Sequence, residues 1–388
     1  MGVDLKYSLE RAETRAPAPV PPPPEQFDFV SPPRGGPERN GIRVVSIADL
    51  GPAEEPDWVW PGYLARGSIT LLTGLWKGGK TTLVKYLLRD LARGGGLVDD
   101  PLGGSVLLLS EEHSGEWARR REALGLPDSI LFLQRENFSR PDRPEWEAIV
   151  ARMCHEVEHR GVGLVVIDTL PSAWPVLNEN DAGEVGNALA PLRAVSEAGA
   201  AVLLVHHPRK GDGSQGTASR GSGALPGFVD VILELRRYAP EDAGDTRRTL
   251  TALGRFDSIP PETVIDLGPD GFTVVGDRVA VRQADLTETI AGLLPESGPG
   301  LTVEEVLESW PDPIRPGKRR LSCSLADGSD AGRWAGTGKG VRGDPRRFFG
   351  PVAGTDSIPF TPPPRRGPES NGIIEPEPPL IERGTEYL

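Results

Sequence analysis

Eight consecutive residues, Gly74-Leu75-Trp76-Lys77-Gly78-Gly79-Lys80-Thr81, fit the spacing G-x-x-x-x-G-K-[ST]. Glycines at these positions let backbone N–H groups curl around phosphate oxygens, and the start of a helix adds its positive dipole end. Lys80 would reach the outer phosphates. Thr81, with Thr82 beside it, would face a metal ion and the phosphates. Gly74, Gly78 and Gly79 would shape the cradle, and Lys77 adds a further cation to the loop. The bland alternative is a glycine-rich turn ahead of a helix. An apolar strand before the loop and a leucine-faced helix after it match the context a phosphate-binding loop requires.

Two acidic stretches could complete a hydrolytic site. Leu164-Val165-Val166-Ile167-Asp168 is four apolar residues ending in an acid. This pattern places Asp168 at the carboxyl end of a buried strand, where it would anchor Mg²⁺. Val106 to Glu112 ends in Glu111 and Glu112. Hydrolysis needs one carboxylate to orient water, and adjacent strand residues point opposite ways, so only one of the pair can serve. Glu111 is the favoured base; Glu112, or a solvated acidic turn, is the alternative. Val205-His206-His207 ends another strand and brings together two of the five histidines. Too few ligands surround them for a zinc site. They read as a polar sensor of the terminal phosphate or as structural histidines.

Taken together, Ser110-Glu111-Glu112, Asp168, Asn178-Glu179-Asn180-Asp181, His206-His207 and Ala218-Ser219-Arg220-Gly221-Ser222 resemble the RecA-like P-loop ATPases. Within these they are similar to the RepA-type hexameric replicative helicases of plasmids and their relatives, over about residues 45–275. The resemblance implies ATP and Mg²⁺ as cofactors, Lys80 and Thr81 at nucleotide and metal, Glu111 as catalytic base and His207 as sensor. It also implies a ring-forming homo-oligomer and a loop at 208–219 near a nucleic-acid channel. One departure is visible. The strand that carries the family's arginine finger reads Val229–Leu235 here and has no Arg. Arg220, Arg236, Arg237 and Arg255 are the candidates to replace it.

The elements that must position these residues follow from hydrophobic period. Apolar strands at 68–73, 105–109, 130–133, 164–167 and 200–205 alternate with helices at 81–93, 115–124, 144–160 and 181–198. That alternation predicts an α/β fold with a mainly parallel sheet covered on both faces. Three more strands, 229–235, 247–253 and 263–267, have no helices between them and read as antiparallel edge strands. The expected ATPase domain spans 41–280.

A second unit is expected at 284–350, with helices at 286–294, from Thr302 and at 319–326, then a basic glycine-rich stretch. This suggests a small winged helix. Residues 311–350 hold nine Lys and Arg against four Asp, a local charge of +5 in a chain of −13. Arg319, Arg320, Lys339, Arg346 and Arg347 are the candidate DNA contacts, interleaved with Trp334, Phe348 and Phe349. A solvated basic face is the bland alternative.

The chain has 388 residues, with 48 Gly and 40 Pro, and proline-rich tracts lie toward both ends. Residues 1–40 and 351–388 therefore read as disordered tails. They share an eleven-residue segment, Pro32–Ile42 and Pro363–Ile373, identical at nine positions. This is either a docking motif for a protein partner or a duplication without function. The first 25 residues contain no apolar leader core, and only two cysteines are present. A cytoplasmic protein without a disulfide scaffold is expected. Two functions remain open: a DNA-dependent ATPase motor, helicase-like and acting in replication or repair, and an ATP-regulated switch that binds DNA or protein without unwinding.

Overall fold

The structure is a computed structural model that describes residues 45–49, 51–52, 55–134, 139–207, 223–312 and 314–350. Before Pro56, the described residues form one short 3-10 turn, Ile47–Asp49. The chain then forms a small antiparallel pair, β1 (Trp58–Trp60) and β2 (Leu64–Ala65). The core follows as β3 (Ile69–Thr73), α1 (Lys80–Arg93), β4 (Ser105–Ser110), α2 (Ser114–Leu124), β5 (Ile130–Phe132) and α3 (Arg143–Arg160). It continues through β6 (Val162–Asp168), α4 (Leu170–Ala173), α5 (Ala182–Leu189), α6 (Leu192–Glu197), β7 (Ala201–His206), α7 (Ala224–Phe228) and β8 (Val231–Arg237). Strands β9 (Arg247–Gly254), β10 (Thr263–Gly268) and β11 (Gly271–Asp277) end the sheet. Then come α8 (Arg278–Leu293), α9 (Val303–Glu308), α10 (Lys318–Asp330), β12 (Ala335–Thr337) and β13 (Arg347–Phe349).

The nine-stranded sheet has the order β11-β10-β9-β8-β3-β7-β6-β4-β5. This is the mainly parallel α/β sheet with antiparallel edge strands that a RecA-like P-loop core requires. Side chains alternate across each strand. Leu72, Leu108, Val166 and Leu203 therefore join one core with Leu83, Leu87, Leu88 and Leu91 of α1. Leu71, Leu107, Leu109, Val165, Ile167 and Leu204 join a second core with Trp146, Val150 and Met153 of α3 and Leu189 and Leu192 of α5 and α6. Each buried leucine of α1 stabilises the packing by about 1.5–3 kcal/mol. This holds the helix that starts at Lys80 in one position.

Three sequence expectations differ from what is observed. Strand β8 is parallel to β3, pairing Thr70 with Val231 and Thr73 with Glu234, so only β9, β10 and β11 run antiparallel. The helix expected over 181–198 is two helices. Pro191 has no N–H to donate and closes the first of them. Strand β11 was not anticipated, because its apolar residues are few and its partner lies only two residues away across a glycine turn.

After β11 the chain enters α8 directly, so the expected junction at 280–284 falls within the first turns of that helix. Helices α8, α9 and α10 and the β12–β13 hairpin enclose a cluster of their own. It contains Leu286, Ile290, Val306, Leu321, Leu325, Trp334 and Phe348. Leu301 makes an isolated antiparallel bridge to Phe348 of the hairpin. The capping box at the start of α9 forms as the sequence implies, with Thr302 Oγ1 accepting from Glu305 N at 3.3 Å and Glu305 Oε2 accepting from Thr302 N at 2.8 Å. No helix among the described residues is long and apolar enough to cross a membrane. The tail repeats, the loop expected at 208–219 and Arg220 lie outside the described residues.

Candidate active site

The phosphate-loop residues lie where β3 meets α1. A Cβ on Gly74 would stand 2.5 Å from the Leu235 carbonyl oxygen of β8, so only glycine fits against the neighbouring strand. Leu75 to Gly78 form a turn closed by Gly78 N donating to Leu75 O at 3.0 Å. Lys77 occupies the left-handed region at φ 56° and is exposed. Gly79 follows at φ 98°, and no side chain caps α1. The first-turn N–H groups of α1 are thereby left for the loop's ligand.

Lys80 is 3 % exposed. Its Nζ donates to Gly74 O at 2.6 Å and to Leu75 O at 3.0 Å. Burial pushes its pKa down to about 8, with Asp168 opposing. Asp168, 2 % exposed, ends β6 beside Ser110 of β4. Neither of its carboxylate oxygens has a hydrogen-bond partner. The Thr81 hydroxyl lies near enough to favour the charged form without reaching hydrogen-bond geometry. Burial pushes Asp168 up to about 6; Glu112 and Glu111 add to this, while Thr81 and Lys80 oppose it. A desolvated carboxylate with two unpartnered oxygens beside a hydroxyl suits a hard cation with oxygen ligands. Thr81 and Asp168 are the residues that would hold Mg²⁺.

The two adjacent acids separate clearly. Glu112 is gripped by Arg120 of α2 through both terminal guanidinium nitrogens, Nη1 and Nη2. Arg120 also lies over the Trp117 ring, 4.7 Å from its centroid. Glu111 turns the other way and its Oε2 accepts from Thr169 Oγ1 at 2.8 Å. Its backbone N donates to Asp168 O at 2.8 Å. The Asp168–Thr169 peptide is cis.

The histidines diverge in the same way. His206 is buried at the end of β7, with Nε2 3.5 Å from Glu179 Oε2. His207 is half-buried and stacks on Trp76 of the phosphate loop, with ring centroids 4.9 Å apart and planes 25° apart. Its pKa is lowered by burial first and by Lys80 second, with Glu111 pulling the other way.

Of the candidate fingers, Arg236 and Arg237 sit at the carboxyl end of β8, and Arg255 directly follows β9 beside the start of β8. That strand extends past Leu235 to Arg237, because its pairing with β9 continues through Arg236–Thr249 and Arg237–Arg248. The sequence reading, which stopped at Leu235, is corrected here: the strand does contain arginines. Arg236 pairs with Glu234 at 2.7 Å, Arg237 is exposed, and Arg255 is held by Asp230 at 3.0 Å.

Around the C-terminal hairpin, Arg319, Arg320 and Lys339 are exposed. Arg346 is exposed too, 3.8 Å from Asp330 and over the Phe348 ring. Arg347 is different. Its Nη1 donates to Gly300 O at 2.9 Å and to Glu305 Oε2 at 3.0 Å. Grouping it with the outward cations is corrected: it fastens the hairpin to α9.

Sequence reasoning missed Trp76 and Thr169. A lone tryptophan among the variable positions of a glycine loop, and a hydroxyl directly after the strand-end acid, were the available signals.

Residues 37–213 match a family model described as an AAA domain. This segment is a P-loop ATPase domain. The match ends six residues after His207, so the β8 arginines and the C-terminal helices and hairpin lie beyond it. No curated protein matches the chain.

Proposed function

We propose that the protein is an ATP-hydrolysing motor of the RecA-like kind whose turnover responds to DNA. The observation that carries this reading is the convergence of Lys80, Asp168, Glu111 and His207. All four stand at the carboxyl ends of β3, β6, β4 and β7, the side of an open α/β sheet where ligands bind. Lys80 would exchange its loop carbonyls for phosphate oxygens. Glu111, freed of competition from Arg120, would orient the attacking water and take its proton. Bound Mg²⁺ would neutralise phosphate charge. Thr81 and Asp168 would hold it, and the desolvation that burdens Asp168 would then be offset. His207 would contact the terminal phosphate. Among the described residues Arg236 and Arg237 are favoured as fingers over Arg255, which Asp230 holds, and they would act on the site of a neighbouring copy in a homo-oligomer. The C-terminal helices and hairpin, arranged as a winged helix, would contact DNA phosphates through Arg319, Arg320, Lys339 and Arg346.

A second reading, an ATP-regulated switch without unwinding, has one observation in its favour. Asp285 of α8 accepts from Tyr238 Oη at 2.7 Å and from Arg247 Nη1 at 2.8 and 3.0 Å. Tyr238 directly follows Arg237 of β8, so the C-terminal helices are tied to a strand that borders the phosphate loop. ATP turnover measured with and without single-stranded DNA separates the readings. A motor gives turnover that DNA raises severalfold together with strand separation. A switch gives ATP-dependent DNA affinity with neither. No ATP turnover under any condition would overturn the motor.

A further inference from the structure

Trp76 is 65 % exposed, yet one face of its indole is covered by the His207 imidazole at near-parallel stacking. The two rings come from different elements. Trp76 stands on the loop after β3, and His207 directly follows β7, the strand paired with β3 through Thr73 and His206. The residue before Trp76, Leu75, offers its carbonyl to Lys80 Nζ. One short chain of contacts thus links the phosphate-seeking ammonium to the stacked pair. A phosphate that draws Lys80 away leaves Leu75 O with its bond from Gly78 N alone, and so loosens the turn that carries Trp76. Among the described residues no Asp or Glu side chain pairs with His207, and its Nδ1 is buried without a hydrogen-bond partner. The indole is the aromatic contact the ring plane follows, 25° from parallel.

We propose that Trp76 is a positioning residue for His207, holding the imidazole plane beside Lys80 and shifting when phosphate takes Lys80 from the Leu75 carbonyl. This rests on the reading of His207 as the phosphate sensor, but the stack itself can be tested without turnover. The charged and titratable groups that face His207 are Lys80 of α1, Glu111 after β4 and His206 of β7. Burial, Lys80 and His206 favour the neutral ring, the form that stacks without a charge, while Glu111 opposes them.

Two measurements test it. The first is optical and uses the full chain without nucleotide. A protonated imidazole quenches a stacked indole, so the Trp76 emission, taken as wild type minus Trp76→Phe, is expected to fall as pH drops. The midpoint is expected below the ordinary histidine value of about 6.5. The change should vanish in His207→Gln and persist in His206→Gln. Addition of a non-hydrolysable ATP analogue with Mg²⁺ should shift the same emission. Emission indifferent to pH and to His207→Gln would overturn the stack, whatever the ATPase reading's fate. The second is kinetic. Trp76→Ala is expected to lower kcat about tenfold with little change in KM, and Trp76→Phe to restore most of it. A loss confined to KM would make Trp76 a nucleotide-binding residue and overturn the positioning role. If the optical change is present and no variant, wild type included, turns over ATP, the functional reading fails and the sensor role with it, while the Trp76–His207 stack stands.

Discussion

Arg120 holds Glu112 through two guanidinium–carboxylate contacts, one of them 2.8 Å between Nη2 and Oε1. That grip takes one of two neighbouring acids away from the nucleotide site and leaves Glu111 with a single hydroxyl partner. Glu111→Gln should therefore keep ATP binding and reduce turnover by two to four orders of magnitude, about the range of general-base catalysis. Glu112→Gln should lose only the anchor to α2 and keep most of the turnover. Steady-state ATPase assays on both variants check this; the reverse ranking would assign the base to Glu112.

Lys80 carries a pH dependence whose sign follows from its burial. Its pKa is about 8 in the folded protein against 10.5 for an ordinary lysine. Phosphate stabilises the charged form, so nucleotide affinity should be flat below pH 7. It should weaken by up to about tenfold per pH unit above 8, as the free protein loses the proton. Stability should move oppositely: the unfolded chain binds more protons between pH 8 and 10.5, so this group's penalty is relieved across that window. Calorimetric titration from pH 6.5 to 9.5 tests the affinity, and a flat profile would show that Lys80 is not the cation on the phosphate.

Asp168 trades stability for metal binding. Its pKa, raised from 3.8 to about 6, means that the folded state carries a buried charge at a penalty on the order of 3 kcal/mol. The penalty is absent below pH 4 and complete above pH 6. Asp168→Asn removes the charge, and should raise the melting temperature at pH 7.5 while abolishing turnover and the stabilisation by ATP with Mg²⁺. A variant that melts lower and retains that stabilisation would contradict the metal assignment.

Cations on the C-terminal hairpin and α10 divide into outward and inward sets. Charge reversal at Arg319 and Arg320 should flatten the log–log salt dependence of DNA binding by about 2, since each phosphate contact contributes roughly 0.9 on duplex DNA. Arg347→Ala should instead loosen the hairpin by about 1–3 kcal/mol and leave the slope unchanged, because its partners are Gly300 and Glu305. Filter binding over a salt series, with thermal melts, distinguishes the two.

Much of the core is legible in sequence because buried parallel strands are continuous apolar runs and the glycine loop has a fixed spacing. The ends of strands are legible less well. Arg236 and Arg237 look like a loop after an apolar run, yet pairing with β9 carries β8 through them. The period of a strand says that Glu111 and Glu112 diverge without saying which faces the nucleotide. That depends on Arg120, eight residues away on a helix whose register is invisible in composition. The same holds for Arg347, a cation among cations until the fold brings Glu305 to it.

Helix α8 belongs to two bodies at once. Its first half lies on the sheet, where Val281 packs with Tyr238 and Val264 and where Arg278 pairs with Glu262 at 2.7 Å. Its second half supplies Leu286, Ile290 and Leu294 to the C-terminal cluster. Sixteen helical residues make a rigid arm of about 24 Å. About 12 Å of that arm lies beyond Asp285, so a tilt of about 10° at the clamp would carry the far end only roughly 2 Å. The beam admits no free swivel: the hairpin and its arginines can be re-aimed only by bending α8 or by breaking its hold on Tyr238 and Arg247.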